Sequence, residues 1–162
     1  MNQSNIELIN FINLSLKDKF LVLEWRNNDL VRKWMFNSDL ISKKNHLEFI
    51  QSLKNNQVKE YFLVKKDRKK IGVIYFINKN DNDKSLEFGI YSNPHIKKTG
   101  KTLMSIICSY AFGKLKFERL IAKVFYDNKK AINLYKYQGF KQFNFKNITR
   151  KKIVCMELQN EN

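Results

Sequence analysis

Three strand-like runs follow one another in the middle of the chain, "EYFLVKK", "KIGVIYFIN" and "SLEFGIY", separated only by the turn-like pieces "DRK" and "NDND". β-Branched and aromatic residues bounded by turn residues favour strands, and connectors this short make an antiparallel meander the economical arrangement.

The flanking segments supply the rest of the order. Alternating apolar positions in "IELINFINL" predict a first strand, and Ser15 can cap a helix through "LKDKFLVLEWRNN". Asp29 can start a short helix, "DLVRKWMF", with Leu30, Trp34 and Met35 at helical spacing. Ser42 can cap "KKNHLEFIQSLK", where Leu47, Ile50 and Leu53 make an apolar stripe. Beyond the meander come a loop at Gly100, a long helix to about Lys116, the strand "RLIAKVFY", the helix "NKKAINLYKYQ" stopped at Gly139, and the strands "FKQFNF" and "KKIVCMEL". The order β-α-α-βββ-α-β-α-ββ describes a mixed α/β sheet with helices on both faces.

Composition narrows the classes of function. With 162 residues, 43% of them apolar, the chain is long enough for one core and short for two, and it shows no linker or repeat, so a single domain over residues 1–162 is expected. "MNQSNIELIN" lacks the features of a signal peptide, and no apolar stretch approaches the roughly 20 residues of a membrane span, so a cytoplasmic protein with no membrane partner is expected. Cys108 and Cys155 lie inside apolar patterns without metal-ligand spacing, which favours buried thiols over a metal site or a disulfide. The net charge of +16 suits a phosphate-bearing partner, but of 31 basic residues only Arg26, Arg32, Arg68, Arg119 and Arg150 are arginines, and the lysines are spread along the chain. No nucleic-acid partner is therefore expected.

The piece "HIKKTGKTLMS", His95 to Ser105, ends like a nucleotide-triphosphate loop, yet His95 stands where that motif needs its first glycine. What remains is a basic turn between a strand and an amphipathic run, where backbone N–H groups and a helix N-terminus attract an anion. Further on, "NKKAINLYKYQGF" resembles the second acetyl-CoA motif of the GNAT superfamily of N-acetyltransferases, Asn-x-x-Ala-x-x-Leu/Phe-Tyr-x-x-x-Gly-Phe, at Asn128, Ala131, Leu134, Tyr135, Gly139 and Phe140. The family's pyrophosphate loop, Gln/Arg-x-x-Gly-x-Gly/Ala, falls at "KKTGKT": Lys97 takes the Gln/Arg place, Gly100 the first glycine, and Thr102 replaces the second small residue. The resemblance implies a GNAT fold with a mixed, mostly antiparallel sheet of about seven strands, and acetyl-CoA as co-substrate without a metal.

The chemistry of these residues agrees with that implication. N–H groups from Thr99 to Thr102 can hold a pyrophosphate, with Lys97, Lys98 and Lys101 adding charge; the plain alternative is a solvated basic turn. The amides of a pantetheine arm can pair with strand backbone at Gly89, Ile90 and Tyr91. Acyl transfer needs a neutral amine, a stabilised oxyanion and a proton for the departing thiolate. Tyr135 is the candidate for that proton, on a helix face shared with Asn128, Ala131 and Ile132, and Asn128 can bond the arm; otherwise Tyr135 is a core aromatic. Glu87, or alternatively His46 or water, is the candidate base, although Glu87 can equally pair with a lysine. Lys123 stands where many relatives carry an acid, which weakens transfer of a carboxylate base from the family.

The N-terminal third holds Trp-Arg-Asn, Trp-Met-Phe and Asn-His-Leu-x-Phe-Ile pieces, and with "GIYSNP" these resemble the N-acetyltransferases of pseudaminic acid synthesis. The implied reaction moves acetyl to the 4-amine of UDP-4-amino-4,6-dideoxy-N-acetyl-β-L-altrosamine, on the way to flagellin glycosylation. Arg26 and His46 could meet diphosphate or hydroxyls, and Met35, Phe36, Phe49 and Tyr91 could wall the sugar. Each has a plain reading: Trp34, Met35 and Phe49 as core, Arg26 paired with Glu24 or Asp29, and His46 as a satisfied histidine. The rivals are a ribosomal-protein type N-terminal acetyltransferase and a non-catalytic acetyl-CoA or RNA-binding module. A homodimer through an exposed sheet edge is a further possibility at this stage.

Overall fold

Asn10 turns the chain where alternation alone predicts a longer strand. In the computed structural model, which describes residues 4–80, 82–148 and 150–161, β1 covers Ile6–Asn10 and a 3-10 turn takes Phe11–Asn13. The Asn10 side chain accepts the Ile12 N–H at 3.1 Å, a local bond that competes with the sheet ladder, and the turn sends Phe11 into the core.

Helix α1, Leu16–Asn27, starts at the expected cap, with the Ser15 hydroxyl accepting from the Asp18 N–H. Helix α2 starts at Asp29 as expected, with Asn28 as its cap, but is shorter than the apolar spacing predicts and covers only Asp29–Arg32. Residues 33–41 form a loop whose carbonyls at Asn37 and Ser38 accept from Arg26 of α1 and Arg32 of α2; Trp34 is 37% exposed, while Met35 packs against the core. Ser42 caps α3, Lys43–Ser52, as predicted. The buried stripe of α3 runs through His46 and Ile50 to Leu53 just beyond it, leaving Leu47 half-buried.

The remaining strands are β2 Glu60–Lys66, β3 Lys69–Asn80, β4 Ser85–Ser92, β5 Arg119–Phe125, β6 Lys141–Ile148 and β7 Lys151–Gln159. Helix α4 covers Gly100–Cys108 and passes into a π-helical turn, Ser109–Lys114, where one continuous helix was expected; α5 covers Lys129–Tyr137. The seven strands lie in the order β1-β2-β3-β4-β5-β7-β6. β1 and β2, β5 and β7, and β6 and β7 pair antiparallel, whereas β4 and β5 are parallel and take the helical crossover such a pair requires. The expected mixed α/β sheet is present.

The chain divides into two compact units. In the first, Met1–Tyr75 and Ile90–Thr99, the core gathers Phe11, Val22, Trp25, Ile50, Leu63 and Val73. In the second, Phe76–Gly89 and Gly100–Asn162, the fully buried side chains include Leu86, Leu103, Met104, Ile107, Leu120 and Met156. Both cysteines are free; Cys155 is buried, and burial raises the pKa of the Cys108 thiol above its ordinary value. No helix among the described residues is long and apolar enough to cross a membrane.

Candidate active site

In the second unit, the start of α4 lies against the middle of α5. A Cβ built on Gly100 would stand 3.0 Å from Leu134 Cδ2, so glycine lets the first turn of α4 approach that helix closely. Gly100→Ala is expected to cost about 1 kcal/mol of stability, typical of mild overpacking, with most of the loss absent in a Leu134→Ala background. Thermal melts of the single and double variants check this. Lys101, in the same turn, places Nζ 3.9 Å from the ring centroid of the exposed Tyr137.

The Asn128 carbonyl oxygen caps α5 by accepting the Ala131 N–H at 3.2 Å. That bond leaves the Asn128 amide NH2 as the end of the side chain able to meet a ligand. Ile132 and Tyr135 are the buried positions of the helix, on the face the spacing predicts. Tyr135 is 7% exposed and stands edge-on to Phe88, with centroids 5.7 Å apart, and tilted against Phe140 at 5.6 Å. The three rings pin the phenol in place.

β4 and β5 pair only from Ser85 with Arg119 to Glu87 with Ile121, and β5 then continues to Phe125 alongside β7. Phe88 and Gly89 therefore lie past the last position at which β4 pairs with β5, and on that side an extended chain bearing amides can add to a strand. This ending of the ladder, with glycine at the start of α4, fits the pantetheine and pyrophosphate of acetyl-CoA. Ile90 and Tyr91 continue β4 beyond Gly89.

Glu87 is 9% exposed, and its Oε1 receives the Lys123 ammonium at 2.8 Å and the Asn78 amide at 3.3 Å. Parallel pairing puts Lys123 and Glu87 on the same side of neighbouring strands, and burial of a carboxylate demands such partners. The pairing with a lysine foreseen for Glu87 is thus present, and its carboxylate is held as an ion pair.

In the first unit, the loop before α4 is anchored by Asn93, which donates its amide to the Lys70 carbonyl at 3.0 Å and its N–H to that of Ile71 at 2.9 Å. Lys97 and Lys98 are exposed, Lys98 in the left-handed region at φ 64°. Thr99 is buried and donates its hydroxyl to Ser92 Oγ at 2.9 Å. Thr102, in the first turn of α4, is half-buried.

The first unit also holds a row of aromatic rings. Phe49 meets Tyr61 edge-on at 4.9 Å, Tyr61 stacks on Tyr75 at 4.7 Å with 6° between planes, and Tyr75 lies 6.4 Å from Tyr91. Burial raises the Tyr61 and Tyr91 phenols well above their ordinary pKa, so both stay neutral.

Arg26 borders this row. Its Nη2 donates to the Asn37 carbonyl at 2.6 Å, whereas Nη1 is buried and, among the described residues, has no hydrogen-bond partner. Burial lowers the Arg26 pKa, and the phenols of Tyr91, Tyr75 and Tyr61 act the other way; the guanidinium stays charged. The two plain partners are engaged elsewhere, Asp29 with Arg32 at 2.9 Å and Glu24 with His95 at 3.6 Å.

His46 is 4% exposed, and its Nε2 donates to the Lys19 carbonyl at 2.7 Å, tying α3 to α1. Burial lowers its pKa, with the Lys19 carbonyl opposing. A folded pKa below the unfolded value means that the unfolded chain takes the proton first. His46 thus contributes stability fully present above about pH 6.5 and lost as pH falls through the folded pKa. His46→Gln is expected to flatten the fall in Tm between about pH 7 and pH 5, since a glutamine amide offers the same N–H without titrating. Melts across that range check it.

Residues 9–141 match the model of the acetyltransferase (GNAT) domain. The chain belongs to the GNAT acetyltransferases. It is 41% identical over 135 residues to acetyltransferase PseH of Campylobacter jejuni strain 81-176, which spans 83% of this chain and 84% of that one, and 42% identical over the same length to PseH of strain NCTC 11168. The crystal structure of C. jejuni PseH in complex with acetyl coenzyme A covers 97% of this chain and 100% of its own at a TM-score of 0.79 and 33% identity. Spermidine N-acetyltransferase of Vibrio cholerae, with a TM-score of 0.83 at 21% identity, shows the fold. The chain is therefore an N-acetyltransferase that uses acetyl-CoA, as its second motif implies.

Among the predicted residues, the structure gathers Tyr135, Ala131 and Asn128 on α5, Gly100, Lys101 and Thr102 on the first turn of α4, and Arg26, Phe49 and Tyr91 around the tyrosine row. Met35 packs against the first unit's core, and Phe36 is exposed. Tyr61, Tyr75, Asn27 and Asn78 were not singled out in the sequence. Strand alternation in "EYFLVKK" and "KIGVIYFIN" carries the only trace of the two tyrosines.

Proposed function

We propose that this enzyme acetylates the 4-amine of a UDP-4-amino-4,6-dideoxy-N-acetyl-altrosamine sugar, the step of pseudaminic acid synthesis that precedes flagellin glycosylation. The observation that carries the reading is Arg26 Nη1, a buried cationic donor that has no partner among the described residues, beside Tyr61, Tyr75 and Tyr91. A donor left this way costs free energy until an acceptor meets it, and an anionic oxygen is the strongest acceptor. The similarity to PseH and the charge of +16 support the same choice over a peptide amine.

Acetyl-CoA supplies the activated acetyl group when bound. The N–H groups from Thr99 to Thr102, with Lys97, Lys98 and Lys101, hold its pyrophosphate. Backbone at Gly89, Ile90 and Tyr91 and the Asn128 amide align its pantetheine arm. Tyr135 keeps its phenolic proton for the departing sulfur, which suits its pinned ring. Arg26 Nη1 takes an oxygen of the diphosphate or sugar, and Met35, Phe36, Phe49 and Tyr91 form the apolar wall. The tethered carboxylate of Glu87 leaves it to act on the amine through a water. His46, already bonded to Lys19, serves α3 more directly than the amine. We place the reaction in one GNAT domain, in the cytoplasm, where nucleotide sugars are made.

A thiol-release assay with acetyl-CoA, comparing UDP-4-amino-4,6-dideoxy sugars with short N-terminal peptides, tests the proposal. Saturable release is expected with the nucleotide sugar; release with peptides alone would overturn the acceptor assignment while leaving the acetyltransferase intact.

A further inference from the structure

The loop 33–41 has an unusual mode of attachment. Met35 packs against the core, but Trp34, Phe36 and Leu40 are exposed, so burial alone holds the loop weakly. Four bonds from side chains to its backbone tie it down instead. Asn27 contributes a reciprocal pair: its amide donates to the Ile41 carbonyl at 2.9 Å, and its own carbonyl accepts the Ile41 N–H at 2.9 Å. Arg32 Nη1 donates to the Ser38 carbonyl at 2.9 Å, and Arg26 Nη2 to that of Asn37 at 2.6 Å.

Arg26 therefore has two ends with different tasks. One nitrogen is bound to the loop, and the other is the buried donor with no partner among the described residues. A guanidinium is a rigid plane, so whatever fixes Nη2 also aims Nη1. Asn37 can fix Nη2 only while the loop is closed, and the pair of hydrogen bonds between Asn27 and Ile41 closes its far end. Asn27 follows Arg26 in α1, so one helical turn carries both the donor and the clamp.

We propose that Asn27 is a positioning residue for the acceptor: by clamping Ile41 it keeps the loop 33–41 closed, and the closed loop holds Arg26 so that Nη1 faces the incoming anion. Asn27 touches no reacting atom in this scheme. It acts by sparing the acceptor the cost of ordering the loop and the guanidinium on binding. The inference rests on the reading of Arg26 as an acceptor-binding group.

The test measures initial rates with acetyl-CoA and the free-amine acceptor, a UDP-4-amino-4,6-dideoxy sugar, for wild type, Asn27→Ala, Arg26→Met and the double variant, each well below its own Tm. Asn27→Ala is expected to raise the acceptor KM about fivefold to tenfold, the effect of losing one or two neutral hydrogen bonds, with kcat and the acetyl-CoA KM within about twofold of wild type. The double variant is expected to match Arg26→Met alone, because the clamp has nothing left to aim. Asn27→Asp, which keeps the acceptor for the Ile41 N–H but loses the donor, is expected to be at least as impaired as Asn27→Ala and stands in if Asn27→Ala fails to fold. An unchanged acceptor KM in Asn27→Ala beside a raised one in Arg26→Met would overturn the clamp and leave the Arg26 reading in place. Additive effects in the double variant would overturn the route through Arg26, and an unchanged KM in Arg26→Met would overturn the acceptor reading on which the inference rests.

Discussion

Tyr135→Phe is expected to lower kcat by about 10²–10³-fold, within the range that a positioned general acid supplies, while acetyl-CoA binds as tightly as before. The separation follows from what the substitution removes. The phenyl ring keeps its edge-on contact with Phe88 and its tilted contact with Phe140, so the packing that positions α5 is retained. Only the hydroxyl is lost, and with it the proton proposed for the sulfur. Equilibrium binding of acetyl-CoA and single-turnover rates measured on the same preparation check both halves. A variant that turns over within about threefold of wild type would remove Tyr135 from proton transfer and leave it as a core aromatic, since the catalytic range begins near a hundredfold.

Arg26→Met is expected to raise the acceptor KM by about 10–100-fold, the effect of losing charge-assisted hydrogen bonds of about 1.5–3 kcal/mol. The loss combines two parts. Nη1 is no longer there for the proposed anion, and Asn37 loses the donor that helps seat its loop. Arg26→Lys is expected to recover little, because an ammonium is a single point and cannot serve the loop and the ligand from two nitrogens of one plane. The acetyl-CoA KM should hold in both variants, which separates an acceptor effect from general unfolding. Equal loss toward both substrates would mean that the substitution unseats the fold around the tyrosine row.

The ion pair of Glu87 with Lys123 bears on the identity of the base. A carboxylate held by Lys123 at 2.8 Å and Asn78 at 3.3 Å is anchored more firmly than a base that must swing toward an amine. This anchoring is the reason for the proposal that a water takes the proton from the acceptor, with Glu87 as its orienting partner. In this arrangement Lys123, the residue that departs from the family pattern, becomes the counter-ion of the acid one strand away.

What was legible in the sequence was local. Ser15 and Ser42 announce their helices because a cap is a bond across three residues, and the meander shows itself through short runs and turn residues. The motif from Asn128 to Phe140 reveals the family because one helix carries the cap, the buried face and the tyrosine at fixed spacing. Tertiary structure decided the rest. Helix α2 stops after Arg32 although the apolar spacing runs on, and arginines of α1 and α2 then hold the carbonyls of Asn37 and Ser38 in the loop beyond it. Glu87 meets Lys123 only through the parallel register of β4 and β5, which periodicity does not encode. The unpartnered nitrogen of Arg26 likewise exists only once the loop 33–41 and the tyrosines from three strands have closed around it. A sequence lists donors and acceptors; only packing reveals which donor is left over.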